Sequence, residues 1–262
     1  MKYCTLLFSS IIISFSGLLA QKLDTYQHQK FIHKKDTLMY RLLLPENFNE
    51  NKQYPLLIFL HGAGERGSDN EKQLVHGAKF FLKTENRSKY PAVVIFPQCP
   101  KDDFWSNVER SVDEDGNRTF LFRNGRKPTR TMALILDLIK TLRKEPFVDL
   151  DRIYVGGLSM GGMGTFEIVS RMPRVFSAAF PICGGGHPES AKRYAGKVAF
   201  WIFHGAKDNV VLPLYSDQMV KAIQKYGGNV KFTLYPEANH NSWDNAFAEP
   251  ELLEWIFSNK KQ

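Results

Sequence analysis

Residues 54–60 (Tyr-Pro-Leu-Leu-Ile-Phe-Leu) and 92–96 (Ala-Val-Val-Ile-Phe) are unbroken apolar runs, too short for helices and bounded by polar turns. A strand covered on both faces needs apolar side chains in both directions, so these runs predict buried strands of a sheet lying between helices. Residues 152–156, 177–183, 198–203 and 230–235 are read as the further strands. Between them the period lengthens to that of a helix. Met132, Ile135, Ile139 and Leu142 fall on one helical face. Further helices are predicted near 71–82, over 162–171 with Pro173 closing it, over 214–226, and over 245–259 with Leu252, Trp255 and Ile256 turned inward. Residues 29–32 and 38–44 instead alternate apolar and polar side chains, which predicts an antiparallel pair at a sheet edge, ended by Pro45. Strands alternating with helices imply an α/β fold: a mainly parallel sheet, helices on both faces and an antiparallel N-terminal edge.

Two stretches break the rhythm. Residues 101–130 lack apolar periodicity and are rich in Asp, Arg, Asn and Gly; they read as a long excursion of the kind that forms lids or binding loops. Trp105, Phe120 and Phe122 within it are available either to a substrate or as anchors to the body. At the start, Lys2 precedes an apolar stretch ending at Ala20, before Gln21-Lys22. A basic start, a short apolar middle and a small terminal residue predict a secretory signal over 1–20, leaving a single domain over 21–262 that is secreted or periplasmic. The stretch is short against the ~20 apolar residues of a membrane span, so no stable membrane insertion is expected after its removal. Cys4 would leave with the signal, and no cysteine stands at the cleavage point for lipid attachment. Cys99 and Cys183 remain. The predicted strands separate them by several spacings of ~4.8 Å, against a Cα limit of about 7 Å for a disulfide, so two free, buried thiols are expected.

Composition changes this picture little. Hydrophobic residues are 43% and charged residues 24%, ordinary for a globular chain. The formal charge of +8 is scattered and accompanies no nucleic-acid motif; a solvated basic surface without a nucleic-acid partner follows, compatible with an anionic polysaccharide or envelope. The sequons at Asn86 and Asn117 matter only in a eukaryotic secretory pathway.

The candidate chemistry centres on Gly157-Leu158-Ser159-Met160-Gly161, a G-x-S-x-G turn between a predicted strand and a predicted helix. Such a turn lifts the serine hydroxyl clear of the sheet, and the helix N-terminus beside it favours negative charge near the Met160 amide. A serine nucleophile needs a base, and the base needs a partner that fixes its tautomer. Asp208 follows one buried strand and His240 follows the last, in the order serine, acid, histidine. Glu189 and Glu237 are alternative acids. His61 and His204 are rival bases, although both open glycine turns at strand ends, where histidine more often serves as a structural hydrogen-bonder. The turn at residues 61–67 lies at the carboxyl end of a buried strand, where open α/β sheets place ligands. Within it, Glu65 and Arg66 either pair to hold the turn, or Arg66 reaches an anionic substrate group. Trp243 belongs near the site as wall or packing, whereas Trp201 and Trp255 read as core. No phosphate loop, metal-ligand spacing or cofactor motif is present, so no metal and no cofactor are expected.

Leu60-His61-Gly62-Ala63-Gly64-Glu65-Arg66-Gly67, Pro97-Gln98-Cys99-Pro100, the segment Gly157 to Gly162, His204-Gly205-Ala206-Lys207-Asp208 and His240-Asn241-Ser242-Trp243 occur in this order across residues 38–258. Together they resemble small α/β-hydrolases of the dienelactone-hydrolase and phospholipase/carboxylesterase type. More closely, they resemble secreted bacterial esterases described as plant-biomass or feruloyl-esterase-like, with the related predicted peptidases. The resemblance implies the α/β-hydrolase fold, Ser159 as nucleophile, His240 as base, Asp208 as acid, and an oxyanion hole from the amides of Ala63 and Met160. It implies a serine carboxylic-ester hydrolase acting through an acyl-enzyme, on feruloyl or acetyl esters of polysaccharide, with Arg66, Trp105 and Trp243 as candidate substrate contacts. A peptidase of prolyl-oligopeptidase-like ancestry and a non-catalytic binding protein on the same fold are the other readings.

Overall fold

The computed structural model describes residues 23–116 and 118–261; the predicted signal and Asn117 lie outside them. Eight strands form one sheet in the order β1-β2-β4-β3-β7-β8-β9-β10. These are β1 (Gln27–His33), β2 (Asp36–Leu43), β3 (Tyr54–Leu60), β4 (Val93–Pro97), β7 (Val148–Leu158), β8 (Ala178–Ile182), β9 (Ala199–Gly205) and β10 (Val230–Tyr235). β1 and β2 pair antiparallel, β2 pairs antiparallel with β4, and every other neighbouring pair is parallel. This is the α/β-hydrolase arrangement with its antiparallel N-terminal edge.

The unbroken apolar runs have a direct physical reason. Leu56, Ile58 and Leu60 of β3 enter one core, and Leu57 and Phe59 enter the other. Each fully buried side chain of this kind contributes about 1.5–3 kcal/mol, so neither face of the strand tolerates a polar residue cheaply. The first core is covered by α3 (Arg130–Leu142), α4 (Met160–Arg171) and α5 (Leu214–Lys225), through residues such as Ile135, Phe166 and Met219. The opposite core is covered by α1 (Ala78–Leu82), α6 (Trp243–Ala248) and α7 (Leu252–Ser258). Trp201 is buried in that second core, and Trp255 packs edge-on against it at 5.5 Å. Among the described residues, no helix is long and apolar enough to cross a membrane.

Three expected elements are corrected. The helix near 71–82 is instead a 3-10 turn at Lys72–Leu74 followed by α1, because Gly77 takes φ +83, which a continuous helix excludes. It is followed by α2 (Thr84–Lys89), which the apolar periodicity did not signal because the helix buries no residue. The closing helix is split into α6 and α7. Pro250 disfavours helical angles at Glu249, which is extended at φ −62, ψ 118. The excursion at 101–130 contains a hairpin, β5 (Val108–Val112) and β6 (Arg118–Phe122), paired from Val108↔Phe122 to Val112↔Arg118. Its strands are mostly exposed, so they carry little of the apolar alternation that marks a strand. Phe120 and Phe122 anchor it, each ring 5.7 Å from Tyr215, whose hydroxyl accepts the Phe120 amide at 3.0 Å.

Candidate active site

Ser159 stands between β7 and α4 with φ 52 and ψ −115, a left-handed conformation that costs a non-glycine residue about 1–3 kcal/mol. The surrounding backbone enforces it. The Ser159 amide donates to Ile182 O at 2.9 Å, and its carbonyl accepts the Met163 amide at 3.0 Å. The turn also presses α4 onto β3 so closely that a Cβ on Gly161 would lie 1.9 Å from Leu60 O; only glycine fits there.

Three side chains meet at the carboxyl ends of β7, β9 and β10. His240 Nε2 lies 2.9 Å from Ser159 Oγ, and His240 Nδ1 lies 2.8 Å from Asp208 Oδ2. A carboxylate only accepts, so Nδ1 carries the ring proton and Nε2 is left to accept from the serine hydroxyl. The loops holding the acid and the histidine are stitched together: the Ala206 amide donates to Tyr235 O at 2.9 Å and the Lys207 amide to Ala238 O at 3.0 Å.

Asp208 is buried, and its second oxygen accepts the amides of Val210 at 2.8 Å and Val211 at 3.0 Å. Burial pushes its carboxyl up, but hydrogen bonds from His204 and His240, the His240 charge and the Val211 amide outweigh burial and hold it well below the usual carboxylate range. His204, fully buried, thus belongs to the cradle of the acid and does not approach Ser159 as a base. Its Nε2–H is shared between Val211 O at 2.8 Å and Asp208 Oδ2 at 3.2 Å, while Nδ1 meets Ser216 Oγ at 2.7 Å. The alternative acids are engaged elsewhere: Glu237 pairs with Lys207, and Glu189 accepts the Tyr226 hydroxyl at 2.9 Å.

Ala63 opens a 3-10 turn after β3, and Met160 opens α4, so both amides sit where a helical turn leaves its first donors without internal partners. This turn is tied down from several directions. The Cys99 amide donates to His61 Nε2 at 3.0 Å, and the Gly67 amide donates to Cys99 O at 2.9 Å. Gln98 Nε2 donates to Asp69 Oδ1 at 2.8 Å and to Glu65 O at 3.3 Å, while its Oε1 accepts the Asn70 amide at 2.7 Å. In this arrangement the imidazole can take the hydroxyl proton at Nε2, while the carboxylate fixes its tautomer through Nδ1–H.

Residues 47–251 match the phospholipase/carboxylesterase family. The chain belongs to this family.

Among its relatives, a bifunctional acetylxylan esterase/xylanase of Neocallimastix patriciarum is 34% identical over 87 residues, 33% of this chain and 12% of that one. A probable feruloyl esterase C of Aspergillus oryzae is 24% identical over 200 residues, covering 76% of this chain and 64% of that one. A thermostable esterase of known crystal structure superposes with a TM-score of 0.80 at 32% identity, over 92% of this chain and 64% of that one. The chain therefore spans less than two thirds of the length of each of these three relatives.

Within this phospholipase/carboxylesterase family member, the candidate substrate contacts divide. Trp243 is half-buried beside the site, its ring 5.5 Å from His240 and 5.0 Å from His76. Trp105 is a correction: it is 0% exposed and donates Nε1–H to His61 O at 2.9 Å, so it anchors the excursion beneath the Ala63 turn and presents nothing to a substrate. Arg66 does not pair with Glu65. Its Nε donates to Ala63 O at 3.1 Å and its Nη1 to Lys101 O at 3.0 Å and Asp103 O at 3.3 Å, clamping the turn to the excursion; Glu65 faces His76 at 3.8 Å.

Cys99 and Cys183 are both free and buried. Cys183, Asp208 and His240 offer ligand atoms within 4.8 Å of one another. They do not suit a metal: Asp208 Oδ2 and His240 Nδ1 already share a proton, and burial pushes the Cys183 thiol far up, keeping it protonated.

His61 carries a pH consequence. Its Nδ1–H donates to Gly62 O at 2.6 Å, and its burial drives its pKa down from 6.5 to about 4. The folded protein therefore binds fewer protons than the unfolded chain between these values, so stability is full above pH 6.5 and falls as pH drops toward 4. We expect a loss of roughly 3 kcal/mol across this window, seen as a falling melting temperature. His61→Gln should be less stable at neutral pH yet show a flatter slope; an unchanged slope would remove His61 as its source.

Proposed function

We propose that the chain is a serine carboxylic-ester hydrolase working through an acyl-enzyme. The observation that carries this reading is the continuous chain from Ser159 Oγ through both nitrogens of His240 to Asp208, at 2.9 Å and 2.8 Å. In the first step Ser159 Oγ bonds to the ester carbonyl carbon as its proton passes to His240 Nε2. The carbonyl oxygen takes the negative charge and is received by the amides of Met160 and Ala63. Collapse expels the alkoxide, which takes the proton from His240, leaving acyl-Ser159. Water, deprotonated by His240, then attacks the acyl carbon and restores the serine hydroxyl with release of the carboxylic acid. Asp208 holds the imidazole in the required tautomer throughout and balances the imidazolium.

The substrate class follows by likeness. Relatives named as feruloyl and acetylxylan esterases support ester substituents of plant polysaccharide as substrates, and the predicted signal at 1–20 supports secretion or a periplasmic site of action. A panel of p-nitrophenyl acyl esters, methyl ferulate, acetylated xylan and peptide amides tests this. Ester turnover with covalent labelling by a fluorophosphonate is the expected result. Amide turnover exceeding that of every ester would identify a peptidase, and absence of both turnover and labelling would identify a binding protein.

A further inference from the structure

On the α4 side of the sheet a crevice of about 90 Å³ opens between the segment following β6, helix α4 and the 3-10 segment Pro188–Arg193. Its wall begins at Met163, whose amide bonds to Ser159 O. The α4 residues that line it, Met163 to Arg171, stand four to twelve residues beyond Ser159, an axial rise of about 6 to 18 Å at ~1.5 Å per residue. Four arginines line it: Arg123, Arg126, Arg171 and Arg193. Two carboxylates answer them. Glu109 holds Arg123 through bonds of 2.9 Å and 2.6 Å and lies 3.8 Å from Arg126, and Glu167 pairs with Arg171 at 2.5 Å. Among the described residues, no carboxylate lies within ion-pair distance of Arg193.

Two neutral donors join this excess of positive charge. His187 Nδ1 accepts the Glu189 amide at 3.2 Å, which places the proton of the neutral ring on Nε2. Ser106 lines the same crevice at 4% exposure, and its buried hydroxyl has no hydrogen-bond partner. Buried hydroxyls are almost always satisfied, so an unpartnered one among the residues lining an arginine-rich crevice points to a ligand that accepts. The crevice has room for a small oxyanion with a few waters, and planar guanidinium forks suit a carboxylate.

We propose that this crevice binds a carboxylate carried on the substrate beside the scissile ester, as on a uronic acid residue of an acidic polysaccharide. The inference deepens the ester-hydrolase reading and rests on it for the kinetic consequence, while the binding itself can be measured independently. In titrations of the full chain followed by protein NMR, sodium glucuronate should bind saturably and glucose should not. The double variant Arg126→Gln, Arg193→Gln should weaken glucuronate binding about tenfold or more. Inorganic phosphate binding more tightly than glucuronate would overturn the carboxylate assignment, as would equal glucuronate affinity in wild type and variant. In kinetics, an acetylated oligosaccharide bearing glucuronate should exceed its neutral counterpart about tenfold in kcat/KM. This preference should vanish in the double variant while p-nitrophenyl acetate turnover stays unchanged; a preference retained in the variant would overturn the proposal. Failure of wild type to hydrolyse p-nitrophenyl acetate would instead count against the ester-hydrolase reading, leaving the titration to decide the anion site.

Discussion

Ser159→Ala is expected to lower ester turnover by about 10⁶-fold, as loss of a nucleophilic serine does where the rest of a hydrolytic site is intact, with the melting temperature shifted by no more than about 2 °C. The two outcomes separate because the hydroxyl and the backbone of Ser159 do different things. The turn is held by Ser159 N–H to Ile182 O and by the Met163 amide to Ser159 O, bonds that alanine keeps. Alanine and serine also share the same strain at φ 52, since both carry a Cβ. What disappears is the Oγ that meets His240 Nε2 at 2.9 Å. A single-turnover assay and a thermal melt on the same preparation check the prediction. Wild-type turnover in a folded Ser159→Ala protein would remove the nucleophile assignment.

Asp208→Asn should reduce kcat by roughly 10⁴-fold with a much smaller change in KM, because it acts on the tautomer of His240 and leaves the substrate surface alone. Asparagine can still accept the Val210 and Val211 amides through its oxygen. Its NH₂ group then faces His240 Nδ1 and His204 Nε2, which both present N–H to Asp208 Oδ2 in the wild type. Donor would meet donor. His240 escapes by moving its proton to Nε2, where it donates toward Ser159 and can no longer take the serine proton. A steady-state kinetic comparison tests this, and near-normal kcat in the Asp208→Asn protein would show that Asp208 is dispensable as the acid. The same substitution changes acid unfolding. A carboxyl held below its ordinary value contributes stability that is present above about pH 4 and is lost as pH falls toward the folded-state value. The variant lacks this contribution, so its stability should depend less steeply on pH below 4 than that of the wild type.

Much of the site was visible along the chain because each of its residues follows a segment that reads as a strand, apolar from Ala199 to Phe203 in β9 and alternating in β10. Ser159 follows β7, Asp208 follows β9 and His240 follows β10, and a parallel sheet brings such strand ends to one rim. Packing partners were less visible. Trp105 in a polar excursion is equally suited to touch substrate or to anchor the loop, and only the hydrogen bond to His61 O distinguishes them. Arg66 followed Glu65 and suggested an ion pair, yet its guanidinium clamps three backbone carbonyls. Gln98 carried no signal beyond its place in Pro97-Gln98-Cys99-Pro100, although it joins β4 to the Ala63 turn through Asp69, Asn70 and Glu65. His204 read as a structural residue of its turn; that it hydrogen-bonds the carboxylate facing His240 depends on how the loop after β9 folds back.

The sequence by itself determined the architecture and the order in which its candidate residues reach one rim, because the apolar strand runs, the 3.6-residue period of the helices and the G-x-S-x-G turn are local properties of the chain. The tertiary structure alone decided which side chains are spent on the scaffold and which remain open: Trp105 buried, Arg66 occupied by carbonyls, the closing helix broken at Pro250, and four arginines from separate segments gathered around one crevice. Those outcomes turn on contacts between residues far apart in sequence, and no local pattern records which distant acceptor a donor will find.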